Sequence, residues 1–149
     1  VTACLYPHRA GRDPHQPEIG LFCKPGYLRL EQQIAELPAL AGWLHANLPA
    51  GGAGNSDIIT GTREKPTPIK VGVFDHLVDI QSTVLSWAQM VADERQLTGP
   101  RDVRINSTAA FILAHLSWSA TQTWADDLAT EIGDLTRKGH QLCPSRPQK

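Results

Sequence analysis

The chain is short of several things, and each shortage closes off a class of protein. It has three cysteines in 149 residues, Cys4, Cys23 and Cys143. An odd number cannot all pair internally, and their spacing matches no disulfide framework. A reduced, cytosolic setting is therefore expected, where thiols hold metal more often than they form disulfides. Excess charge of one sign is also missing: fourteen Lys and Arg stand against fifteen Asp and Glu, a formal net charge of −1. Non-specific DNA affinity comes mostly from cations displacing phosphate counterions, so the composition gives no push toward nucleic acid. No apolar run approaches the roughly 18 residues that span a bilayer, and no basic-then-apolar leader opens the chain, so no membrane partner is expected. Neither a Gly-rich phosphate loop nor a Gly-x-Ser-x-Gly elbow occurs.

What is present is a knot of metal-competent side chains at the front. Cys4, His8, His15 and Cys23 sit in a stretch punctuated by Pro7, Gly11, Pro14, Pro17, Gly20, Pro25 and Gly26. Residues 1–26 are thus expected to be irregular. Two thiolates and two imidazoles complete a tetrahedral shell for Zn, and a closed shell staples a fold instead of doing chemistry. Such a site can supply on the order of 10 kcal/mol to a segment without a core of its own. Cys143 is an alternative to His15 as the fourth ligand if the C-terminus folds back. Leu5, Tyr6, Ile19, Leu21 and Phe22 need cover, which the following helices can give.

From Tyr27 the period becomes helical. Tyr27, Leu30, Ile34 and Leu37, then Leu40, Trp43, Leu44 and Leu48, predict two short helices or one kinked at Pro38. Residues 49–68 read as a flexible loop, with Gly51-Gly52-Ala53-Gly54 followed by Arg63-Glu64-Lys65-Pro66. The strongest pattern is Val73, Leu77, Ile80, Val84, Trp87 and Val91, a narrow seam that Gly99-Pro100 is expected to stop. Asn106 is an expected N-cap, with Ala109, Ile112, Leu113 and Leu116 facing inward. Ser119 with Gln122 reads as a capping box opening a last helix that buries Trp124, Leu128, Ile132 and Leu135. In that helix Asp126 and Asp127 come early and Arg137, Lys138 and His140 late, which suits the helix dipole. The tail from Pro144 has nothing to bury.

Other clusters carry weaker chemistry. Asp127, Glu131 and Asp134 share a helix face that reads as solvated and partly balanced by Lys138. His140 and Cys143 stand one turn apart, but no third group orients the histidine as a nucleophilic pair requires. No helix has a clean basic face. Arg63 and Lys65 in the loop, with Arg101 and Arg104, are the candidate phosphate contacts. Trp43, Trp87, Trp118 and Trp124 fall in core phase.

Three stretches carry a resemblance: Cys4-Leu-Tyr-Pro-His8, Asp13-Pro-His15-Gln-Pro, and Leu21-Phe-Cys23-Lys-Pro-Gly26-Tyr-Leu-x-Leu. Glu64-Lys65-Pro66-x-Pro68-Ile69, Ser86-Trp87-x-x-Met90-Val91-Ala92 and His115-Leu-Ser-Trp118 add to it. Together, over about residues 1–142, they resemble proteins of mycobacteriophages and other actinobacteriophages. Those proteins are usually longer and often labelled helix-turn-helix DNA-binding proteins for a region beyond the part matched. Many of them carry Cys-x-x-Cys where this chain has Cys23-Lys-Pro-Gly26, so His15 or Cys143 must supply the missing ligand. The resemblance implies a phage setting, the cytoplasm of a bacterial host, and a regulatory or host-directed role.

The expectation is an all-α fold of about five helices, with a zinc-stapled module at 1–26, a bundle at 27–142 and a tail at 143–149. The expected function is non-enzymatic binding of a host or phage protein, of the transcription or replication machinery, without a small-molecule substrate. A DNA-binding regulator is the alternative.

Overall fold

The computed structural model describes residues 17, 19–48 and 68–143, with side chains from Gly72 onward in the last stretch. Cys4, His8, His15, Arg63 and Lys65, the loop at 49–67 and the tail from Pro144 lie outside the described residues.

The described chain is all-α. Its helices are α1 (Lys24–Ala46), α2 (Pro68–Arg95), α3 (Ile105–Ala114), α4 (Leu116–Ser119) and α5 (Ala125–Leu142). The expected number of helices is met. Of the two readings, two short helices or one kinked at Pro38, the single helix holds: α1 runs unbroken from Lys24 to Ala46 through Pro38, ending before the expected Leu48. The ring removes one backbone bond, and a stripe of fully buried Leu30, Ile34, Leu37, Leu40 and Leu44 outweighs that loss. The unexpected element is α4, a single turn between α3 and α5.

α1 also begins earlier than the proline and glycine of Lys24-Pro25-Gly26 suggest. Cys23 is the N-cap, and its Sγ accepts from the Gly26 N–H at 3.3 Å. Pro25 falls in the first turn, where its missing N–H would have had no helical partner. Phe22, placed just before this cap, is fully buried in the core.

On α2 the whole seam of Val73, Leu77, Ile80, Val84, Trp87 and Val91 is buried, as its spacing requires. The helix stops before Gly99-Pro100, because Gln96 takes a left-handed conformation with φ 56°. The Gln96 N–H donates to Asp93 O at 3.1 Å and the Leu97 N–H to Ala92 O at 2.8 Å, the pair of bonds that closes a Schellman end.

Two caps differ from expectation. α3 is capped at Arg104, which makes no side-chain cap bond, and Asn106 lies inside the helix. Asp102 does the local work instead, accepting from the Arg104 N–H at 2.9 Å. Ser119 does not open α5. It ends α4, fully buried, and its hydroxyl donates to His115 O at 3.0 Å, while the Gln122 amide donates to Thr121 Oγ1. α5 runs from Ala125 with Trp124 as its N-cap; Leu128, Ile132 and Leu135 are buried as expected, whereas Trp124, also expected to be buried, is half-buried.

Two close approaches set the packing. Gly139 of α5 lies against Leu40 of α1, where an added Cβ would fall on the leucine side chain. One turn earlier on α1, Glu36 meets His140 at 2.8 Å. At the other end, the Leu21 N–H donates to Ala120 O at 2.7 Å. α1 and α5 therefore run side by side in the same direction. α2 runs antiparallel to α5: Gly72 faces Leu142, His76 bonds Leu135 O at 2.8 Å, and Trp87 reaches Glu131. No described helix is long and apolar enough to cross a membrane.

Candidate functional site

The helix directions give the bundle two ends of different character. One end gathers the N-terminus of α1, the C-terminus of α2, α4 and the start of α5. Here Ile19 and Phe22 exchange backbone bonds around Gly20, whose φ is 61°. A Cβ on Gly20 would stand 2.6 Å from Ala120 O. Only glycine combines that backbone with that proximity. This turn presses the front segment onto the α4–α5 junction and delivers Cys23 there.

Cys23 is the member of the Cys4, His8, His15 and Cys23 set that lies among the described residues. It is buried, with its sulfur already held by a helix N–H. Bonds of this kind to sulfur are what orient thiolate ligands at metal sites. Among the described residues no group of three or more His, Cys, Asp or Glu is gathered closely enough to hold a metal.

Cys143 sits at the opposite end of the bundle, buried as the C-cap of α5. Seventeen residues of α1 separate Cys23 from Leu40, the residue against Gly139, a rise of about 25 Å. Two thiolates on one zinc have sulfurs within about 5 Å. Cys143 therefore cannot share an ion with Cys23, and the C-terminal alternative to His15 is removed.

The tryptophan end also holds a polar network that spacing did not reveal. The rings of Trp87 and Trp124 lie 5.5 Å apart, and those of Trp124 and Trp118 5.9 Å apart. Trp87 is buried and the other two are half-buried. The Trp87 Nε1–H donates to Glu131 at 3.0 Å, so this carboxylate is not simply solvated. Asp134 pairs with Arg137, not with Lys138. Arg95 lies 4.9 Å over the Trp118 ring and donates to His115 Nδ1 at 3.0 Å. A guanidinium only donates, so His115 must be neutral with its proton on Nε2. Burial first, and the Arg95 charge second, hold His115 below the usual histidine range. The tryptophans do pack, as their phase predicted; what the sequence hid was the set of partners, contributed by three helices.

Arg101 and Arg104 are both exposed in the α2–α3 connection. Asp102 stands between them. Its carboxyl is held below the usual range first by the Arg104 N–H, then by the Ser107 hydroxyl, with both guanidiniums adding a smaller pull. The connection also leaves Leu97 and Val103 in solvent, at 45% and 65% exposure.

No family model matches the chain, and no curated protein or solved structure does.

Proposed function

We propose that this is a non-enzymatic, phage-type regulatory protein, stapled by structural zinc at its front and acting by binding a host or phage protein. The observation that carries this reading is the surface of the described bundle. Leu28, Phe74, Val78, Leu97 and Val103 stand in solvent at 43–65% exposure while the core behind them is closed. Large apolar side chains left in water on a well-packed scaffold suit a protein partner, of which the transcription or replication machinery is the kind a phage regulator would engage. The zinc reading rests on the donor set Cys4, His8, His15 and Cys23, and the N-cap bond to the Cys23 sulfur supports it.

A tagged full chain passed through host lysate tests the proposal. A discrete protein retained at about 0.3 M salt, and released when one or more of those five residues becomes Ser, is the expected outcome. Nucleic acid retained at low salt and lost on raising it, with dependence on Arg101 and Arg104, replaces it with the DNA-binding reading. The exposure of those two arginines is the observation that favours this alternative.

A further inference from the structure

We propose that the outer face of α2, from Phe74 to Asp93, is a docking surface for a basic amphipathic helix of the partner protein. This rests on the protein-partner reading above and names the chemistry of the partner.

α2 buries one side in the seam and leaves the opposite side to solvent. Residues 71–94 contain Asp75, Asp79, Asp93 and Glu94 and no lysine or arginine. The acids are all exposed, as are Phe74 at 54% and Val78 at 43%, with Leu85 half-buried. At 3.6 residues per turn, Phe74, Leu85 and Val78 fall within about 40° of arc, making an apolar ridge. Asp75, Asp93 and Asp79 lie together roughly 100–140° around from Phe74. The ridge runs from Phe74 to Leu85, about 17 Å or three turns, with Asp75 and Asp79 alongside it and Asp93 continuing the acidic row beyond its end. Neither Asp75 nor Asp79 is in an ion pair with a described residue.

A helix with Leu-type residues at i, i+3, i+4 and i+7 and lysines along one flank complements both rows at once. Other occupants fit worse. Phosphates of nucleic acid or lipid would meet only carboxylates along this stretch. A second copy of α2 would add acid to acid without a compensating cation.

The test uses the full chain, isotope-labelled, with two synthetic helical peptides: one of Leu and Lys in that spacing, and one with Glu in place of Lys. The expected result is backbone amide shifts concentrated in residues 72–94 for the Leu–Lys peptide and none for the Leu–Glu peptide. Phe74→Ser with Val78→Ser should weaken binding about tenfold or more. Asp75→Asn with Asp79→Asn should weaken it and flatten its salt dependence. All four positions are exposed, and a thermal melt checks that each variant folds. Shifts that map elsewhere, equal binding of the two peptides, indifference to both double variants, or burial of this face between two copies in solution would each overturn the proposal. The lysate experiment separates it from the reading it rests on. Protein capture abolished only by Leu97→Ser or Val103→Ser keeps that reading and removes the α2 surface. Peptide binding at α2 without salt-resistant protein capture does the reverse.

Discussion

Arg95 donates to His115 Nδ1 at 3.0 Å from a position over the Trp118 ring, so one guanidinium ties the end of α2 to α4 through a histidine that must stay neutral. Protonating His115 places two cations in contact. Because its folded-state value is lowered from 6.5, the folded state binds fewer protons than the unfolded chain just below that pH. The contribution is present above pH 6.5 and is lost as the pH falls through the lowered value. His115 should titrate below 6.5 by NMR. The urea midpoint should drop between about pH 7 and 5 more in the wild type than in His115→Gln. A titration at or above 6.5 contradicts the arrangement.

Gln96 is the non-glycine residue with positive φ among those described. An L side chain there costs roughly 1 kcal/mol relative to glycine. Gln96→Gly should therefore raise unfolding stability by about 1 kcal/mol in urea titration without changing the slope, since the Schellman bonds are kept.

Gly20 is the opposite case. Both its φ of 61° and the 2.6 Å approach to Ala120 O reject a Cβ. Gly20→Ala should destabilise by about 1–3 kcal/mol. Increased hydrogen exchange at Leu21, whose N–H bonds the same carbonyl, would show that the loss is local to this turn.

The two buried thiols make different predictions for metal. Serine is a good N-cap, so Cys23→Ser should preserve the start of α1 while losing a zinc ligand. Metal analysis of purified protein should show zinc reduced in Cys23→Ser and unchanged in Cys143→Ser. Equal loss in both variants would break the geometric argument that sets them at opposite ends of the bundle. Zinc-free wild-type protein would remove the staple altogether.

Much of the bundle was legible because burial repeats along a helix. The seam from Val73 to Val91 and the buried row from Leu128 to Leu135 follow from spacing alone. Helix ends were less legible. Pro25 and Gly26 look like breakers until Cys23 supplies a cap, and Gln96 ends α2 in a conformation no glycine announced. Ser119 and Gln122 have the letters of a capping box, yet Ser119 is spent on the backbone of α4. Local motifs compete with each other, and the core decides among them.

The sequence by itself determined that the chain is helical and which side of each long helix is apolar, because those follow from side-chain period. It also determined that cysteine and histidine side chains crowd the front. Only the tertiary structure decided that Cys23 and Cys143 stand at opposite ends, that Trp87 reaches Glu131, and that Arg95 meets His115. Helix direction and register come from packing between residues distant in the chain, such as Gly139 against Leu40, and no local pattern carries that information.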